Sequence, residues 1–252
     1  MAEAESATGV KELPSFLDTL GVDYHYKIWG LSVHELVPVI MSVLIISFLV
    51  IISFYATRRL KKIPGRFQSF FEIIVESLDG FVKAQIGPKG SAFLPLVGTL
   101  FLYILFMNLI GQVPLFHSPT NNINTTLSLA LIVFFVTQYC GIKNYGIIGY
   151  LKHLMGKPIW MAPMMFPLHL MAEFFTKPLS LAMRLFGNIM GEDTVLAIFV
   201  GFSPFLLGFI PVPIQLPMVF VGVLASTIQA GIFALLTCFY IAGALGVHDE
   251  GH

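Results

Sequence analysis

Apolar runs long enough to cross a membrane recur along this sequence of 252 residues. A spanning helix needs about 20 apolar residues, and the first such run covers residues 36–57. The chain is 56% hydrophobic and 11% charged, whereas soluble domains carry about 25% charged residues. These features predict an all-α integral membrane protein and exclude a soluble globular domain.

The apolar pattern predicts about five membrane helices and one amphipathic surface helix within a single membrane domain, 34–245. A polar N-terminal tail, 1–33, precedes this domain, and a polar tail, 246–252, follows it. The predicted segments are a span at 36–57, an amphipathic helix at 67–87, spans at 93–114 and 127–142, and two long segments at 161–202 and 204–245.

The distribution of basic residues predicts the orientation of these segments. The loop after the first span contains TRRLKKIPGR, and such loops lie on the cytoplasmic side. The N-terminus is therefore predicted outside. Counting the spans onward places the loop at 143–158, which carries three lysines, in the cytoplasm, and the C-terminus there as well. The chain is thus predicted to be a multi-pass membrane protein.

The surface helix and the two long segments need separate explanations. Residues 67–87 place an apolar stripe beside acidic faces, which favours a helix at the membrane surface or packed on a partner, with a soluble connector as the alternative. Forty helical residues extend about 60 Å, twice the hydrocarbon thickness. Each long segment therefore either breaks into two helices or lies strongly tilted in the membrane. In the second segment, an early break or kink is favoured by three prolines, Pro211, Pro213 and Pro217.

Arg184 is the charge that most needs a partner. An ionised arginine at the bilayer centre costs from about 3 to above 10 kcal/mol, and it does not readily lose its proton. Helical periodicity puts Lys177, Ser180 and Asn188 on the same side as Arg184, and Glu192 on an adjoining face. The apolar helix therefore carries one polar stripe.

The counter-charge of Arg184 does not lie next to it on its own helix. The residues three and four positions away are Leu181, Ser180, Gly187 and Asn188. Because small neighbours let another helix approach closely, the pattern indicates a partner from another chain. The alternatives are that Arg184 reaches to an interface or forms a static bridge with Glu173 or Glu192. Glu173 is itself spaced to pair with Lys177.

The last long segment offers polar groups that could face this stripe. Ser226 and Gln229 share a helix face. Gln229 could hydrogen-bond Arg184 across a helix pair, or it could form an ordinary interhelical amide bond.

Three stretches resemble subunit a of the F-type ATP synthase. They are KPLSLAMRLFGNIMGED (177–193), FLPLVGTLFLYILFMNLIGQVP (93–114) and IQAGIFALLTCFYI (228–241). The resemblance implies a stator subunit whose two long segments form a tilted hairpin along a rotating c-ring of small hairpin subunits. It further implies a peripheral stalk of b subunits, indirect contact with the F1 head, and a lipid bilayer around the chain.

The resemblance also assigns ion-translocation residues. Arg184 matches the essential arginine that faces each passing ring carboxylate, Gln229 matches the glutamine beside it, and Asn188 matches a polar residue on the route. The half-channel acid corresponds to Asp193 by ungapped matching, whereas helical turn counting favours Glu192. Relatives often place His or Glu where this chain has Gly222. Further possible half-channel residues are His169, Glu173, Lys177 and Ser226.

Other function classes receive little support from the sequence. Its 14 basic and 14 acidic residues give no net charge that indicates nucleic acid. There is no GxxxxGK[ST] motif, so no catalytic nucleotide site is predicted, and no metal or cofactor site. Cys140 and Cys238 are expected to fill space between helices. Two alternative functions are considered. One is a self-contained secondary transporter or channel that binds an anionic substrate at Arg184, and the other is a membrane scaffold without a transport role.

Overall fold

The computed structural model describes residues 27–28, 31–58, 65–113, 116, 118–155, 162–206 and 215–246. Most of the predicted polar tails lie outside these ranges. The core of the basic loop, 59–64, also lies outside them, as do the two prolines at 211 and 213.

Helices make up nearly all of the described chain. A short antiparallel pairing joins two-residue strands, β1 (Lys27–Ile28) and β2 (Leu31–Ser32). The helices are α1 (Val33–Thr57), α2 (Arg66–Ile86), α3 (Leu94–Ile110), α4 (Ile123–Met155), α5 (Ala162–Met171), α6 (Lys177–Leu206) and α7 (Gln215–Leu245). Short 3-10 turns at Pro88–Phe93 and Pro119–Asn121 precede α3 and α4, and a π-turn at Ala172–Thr176 joins α5 to α6.

Four stretches of the described chain are long and apolar enough to cross a membrane. They are Leu36–Thr57, Pro88–Ile110, Ile123–Gly146 and Pro217–Leu245. The fifth predicted membrane segment, 161–202, is helical over its described part but carries the charged stripe of α6. The molecule is thus an all-α integral membrane protein apart from the small strand pair.

The core lies where α3, α4, α6 and α7 meet. Helix association within lipid depends on close van der Waals packing, which small residues permit. Ala182 on α6 and Ala230 on α7 are fully buried, and larger side chains fill the space around them. The principal large members of this core are Ile104, Met107, Val133, Leu185 and Phe233. α6 is therefore held by one face, chiefly against α4 and α7.

The amphipathic helix α2 divides its apolar side chains between two environments. Val82 and Ile86 are buried against α3 and the end of α7, whereas Phe70 and Ile73 remain about 60% exposed. On the polar side, Asp79 and Lys83 form an ion pair at 2.5 Å, and the hydrogen bond from Lys83 lowers the pKa of Asp79. Such a helix has one face for the protein and an adjoining apolar face for the lipid interface.

Helix α4 is much longer than the predicted span 127–142. It begins at Ile123 and ends at Met155, with a bend at Gly146, whose φ is 68° and ψ 166°. After the bend the chain returns, and the Tyr150 hydroxyl donates a hydrogen bond to Gln138 Oε1 at 2.8 Å. Gly146 thus joins two helical segments, and the second, polar segment folds back onto the first.

Substitution of Gly146 tests this bend. Gly146→Ala should lower the midpoint of thermal unfolding by roughly 2–8 °C, because only glycine readily adopts this backbone conformation. No atom lies within 4 Å of a Cβ at position 146, so the cost would be conformational. The matched control is Gly80→Ala in α2, which is also free of contacts and should be neutral or stabilising. Equal or greater stability of Gly146→Ala would contradict the bend.

Candidate functional site

Arg184 lies two turns into α6, on the face that turns away from the core. Its neighbours on this face, Ser180, Gly187 and Asn188, are exposed as well. The opposite face, with Leu181 and Leu185, is buried. The structure therefore confirms that these polar and small residues share one open face of the helix.

Within the described part of the chain, Arg184 forms no ion pair and no hydrogen bond. Neither static bridge weighed from the sequence is formed: Glu173 pairs with Lys177, and Glu192 contacts an amide. The bond from Arg184 to Gln229 is not formed either. Gln229 instead accepts a hydrogen bond from Asn188 Nδ2 at 2.5 Å, because Gln229 is buried while Arg184 faces outward.

A groove of about 350 Å³ lies between α6 and α7 beside this amide pair. Polar atoms reach it from Asn188, Glu192 and Gln229, and the remaining walls are apolar. Asn188 is one helical turn from Arg184 and one turn from Glu192. The groove therefore connects the surroundings of the arginine with those of a carboxylate.

Two adjacent carboxylates on α6 are each held by an amide from the α3–α4 connection, residues 111–122. Gln112 Nε2 donates to Glu192 Oε1 at 2.6 Å, and Asn121 Nδ2 donates to Asp193 Oδ2 at 2.9 Å. Both carboxylates are only partly exposed. The structure thus places both candidate acids in one polar cluster and does not select between them.

The sequence did not reveal Gln112 and Asn121 as members of the site. A signal was present, because both are amides at the two ends of one short polar connection. Their partners, however, lie 80 and 72 residues away, a separation that no local periodicity encodes.

Gly222 on α7 has no side chain, and this leaves room for the carboxylate cluster. A Cβ at that position would overlap the side-chain oxygens of Glu192 and Gln112. The carboxylate of Glu192 thus occupies the volume that a side chain on α7 would otherwise take. The space beside Gly222 is therefore filled from α6 and from the α3–α4 connection.

A second polar cluster lies at the beginning of α6. Lys177 forms the predicted ion pair with Glu173, and its Nζ lies 5.3 Å from the centre of the Tyr240 ring. A small cavity of about 10 Å³ borders this pair, with Thr137 and Gln138 of α4 on its wall. The pairing of Glu173 with Lys177 is therefore confirmed.

The two remaining predicted residues lie on α5 and α7. His169 lies exposed on α5, one turn before Glu173. Ser226 is buried on α7, and its hydroxyl has no hydrogen-bond partner in the described ranges. No group of three His, Cys, Asp or Glu side chains among the described residues could hold a metal ion, and both cysteines are buried and unpaired.

The two clusters lie on opposite sides of Arg184 along α6. At 1.5 Å per residue, Lys177 lies about 10 Å before the arginine and Glu192 about 12 Å after it. Their contacts to the rest of the chain differ accordingly. Glu192 and Asp193 contact the connection that precedes α4. Lys177 instead lines a cavity together with Gln138, which lies farther along α4. The clusters therefore lie at different depths along α4.

Comparison with known proteins places this arrangement in a family. The ATP synthase A chain family matches residues 39–242. The chain is 37% identical over 251 residues to ATP synthase subunit a of Protochlamydia amoebophila, covering 96% of this chain and 92% of the relative. It is 46% identical over 209 residues to the protein of the same name from Geotalea daltonii, and 44% identical over 209 residues to that from Geobacter sulfurreducens, covering 83% of this chain and 86% of each relative. The chain therefore belongs to the ATP synthase A chain family, that of subunit a of the F-type enzyme.

Proposed function

We propose that this chain is the stator that carries protons to and from the carboxylates of a rotating c-ring, through two offset half-channels separated by Arg184. Membership of the family makes the chain a multi-pass inner membrane protein that takes part in proton transport and ATP synthesis within a complex of other Fo subunits. The half-channels, the ring and the roles of individual residues are the proposal.

The observation that carries the proposal is an exposed arginine without an acidic partner in the described chain. A guanidinium does not readily shed its charge, and leaving it uncompensated in lipid is costly. In this proposal the compensating carboxylate comes from another chain. A carboxylate on each subunit of a ring supplies this negative charge and renews it as the ring turns.

The surface around Arg184 is shaped for a close neighbour. A Cβ at Gly187, Gly191 or Gly231 would meet no atom within 4 Å, so these glycines are not required by packing inside the chain. Backbones without side chains allow another helix to approach closely. The open glycine face thus supports a helical partner at the position where the arginine needs its acid.

The outer half-channel is assigned to the Glu192 and Asp193 cluster. By the charge-based orientation, the α3–α4 connection lies on the outer side, and its amides hold both carboxylates. The groove beside Asn188 and Gln229 continues from this cluster toward Arg184. A proton entering from outside would pass the carboxylates and neutralise a ring acid at the end of the groove.

The inner half-channel is assigned to the cluster of Glu173, Lys177 and Tyr240. It lies on the other side of Arg184 and borders α4 nearer its cytoplasmic end. His169, one turn before Glu173, and Ser226, one turn before Gln229, remain predicted members of the two routes. The ion pair places charged groups in an otherwise largely apolar wall.

Arg184 then performs two electrostatic tasks. Two unit charges 4 Å apart interact by about 4 kcal/mol at an effective dielectric constant of 20, enough to favour the ionised form of a ring carboxylate and release its proton inward. The same positive charge opposes direct proton passage between the half-channels. Each charge moved through 100 mV yields about 2.3 kcal/mol, so several transfers are needed per ATP, whose chemistry belongs to partner subunits.

Replacement of Arg184 tests the proposal. Arg184→Ala and Arg184→Lys should reduce ATP-driven proton pumping in inverted vesicles at least about a hundredfold, because neither provides the guanidinium charge at the same place. Assembly should persist, since the side chain packs against nothing in the core. Arg66→Ala, another exposed arginine, is the matched control and should pump normally. Normal pumping by Arg184→Ala would refute the role.

A substitution at Gly222 tests the outer cluster separately. Gly222→Val should displace the ends of the Glu192 and Gln112 side chains, which occupy that space. These ends are flexible, so we expect normal assembly but pumping lowered roughly threefold to tenfold, as for loss of one buried hydrogen bond. Gly243→Val on the same helix, where a Cβ meets no atom, serves as the control. Equal pumping by the two variants would remove the outer cluster from the route.

A further inference from the structure

The α3–α4 connection holds the two carboxylates through its ends, but its own position depends on a buried network that the proposed route does not use. Gln112 stands near the beginning of the connection and Asn121 near its end. Between them, Ser118 and Thr120 are buried, and both contact the last turns of α3. These contacts fasten the connection to the core.

The network has three links. The Ser118 hydroxyl donates to the Met107 carbonyl oxygen at 3.0 Å. Ser118 Oγ and Thr120 Oγ1 lie 2.6 Å apart, and Thr120 Oγ1 lies 2.8 Å from Asn108 Oδ1. Asn108 and Thr120 are fully buried and Ser118 is 5% exposed, so water does not readily replace these bonds.

A proton count fixes the direction of this chain of bonds. Two hydroxyls supply only two donor protons, and three links need three. With its oxygen toward Thr120, Asn108 adds no proton, and its buried Nδ2 has no partner among the described residues. A half-turn of the amide exchanges its oxygen and nitrogen. Asn108 then donates to Thr120, Thr120 to Ser118, and Ser118 to the Met107 carbonyl, which satisfies every link.

The backbone adds a close contact at the same place. A Cβ on Gly111 would lie 2.6 Å from the Ser118 Cβ, so the end of α3 and the returning chain touch directly. Two kinds of contact therefore hold the connection against α3: the close approach of the chain at Gly111, and the chain of hydrogen bonds that begins at Asn108.

We propose that Asn108, Thr120 and Ser118 are positioning residues, a latch that holds the α3–α4 connection so that Asn121 and Gln112 stay on Asp193 and Glu192. The latch touches neither carboxylate and acts only through the two amides. This inference rests on the proposed function of the outer cluster, because it predicts proton transport from the placement of that cluster.

The test combines a distance readout with a transport readout in the assembled complex. Thr120→Val removes the central hydroxyl with little change of shape, and Thr120→Ser keeps it. Placement is measured with Asn121→Cys and Asp193→Cys introduced together, in a background with Cys140→Ala and Cys238→Ala, as the yield of cross-linking by a short bifunctional thiol reagent. Transport is measured as ATP-driven pumping in chains that retain Asn121 and Asp193.

We expect Thr120→Val to lower both the cross-linking yield and the pumping rate roughly fivefold to a hundredfold, as for loss of the two buried hydrogen bonds that the Thr120 hydroxyl makes, and Thr120→Ser to restore both. If Thr120→Val does not assemble, Ser118→Ala takes its place; it removes the two links made by the Ser118 hydroxyl, with the same expected losses.

The two readouts separate two kinds of failure. Unchanged cross-linking in the hydroxyl-deleted chain, or no restoration by Thr120→Ser, would overturn the latch whatever the pumping rate. Reduced cross-linking with normal pumping would overturn the proposed role of the outer cluster and, with it, the functional part of this inference.

Discussion

The unpaired charge of Arg184 is the interaction on which the rest of the arrangement depends. A guanidinium in a lipid-facing helix needs either water or a carboxylate, and the described chain gives it no acid. Among the described polar side chains near it on α6, Asn188 and Glu192 have hydrogen-bond partners and Lys177 forms an ion pair. In the described part of the chain, the arginine is thus a charge that the fold leaves without an acidic partner.

The fold keeps that charge available by dividing α6 into two faces. Leu181, Ala182, Leu185 and Ile189 are buried, and the helix packs chiefly against α4 and α7, which fixes its orientation. The opposite face then has to point outward. Because Glu173 pairs with Lys177 and Glu192 is held by Gln112, neither nearby acid is free to turn toward the arginine.

Features set by local sequence could be predicted, and those set by distant contacts could not. Apolar run length and helical spacing gave the all-α membrane class, the outward stripe around Arg184 and the Glu173–Lys177 pair. The bond between Asn188 and Gln229 joins residues 41 positions apart, and the two amide–carboxylate bonds span more. The long α4 was missed because its polar end turns back at Gly146, a conformation that composition does not reveal.

The most direct test is the structure of the intact complex in several rotary states, with the acid nearest the Arg184 guanidinium identified in each. The account predicts that this acid belongs to a different ring subunit in successive states, at ion-pair distance of about 3–4 Å. An acid of this same chain, or of a stationary neighbour, paired with Arg184 in every state would contradict it.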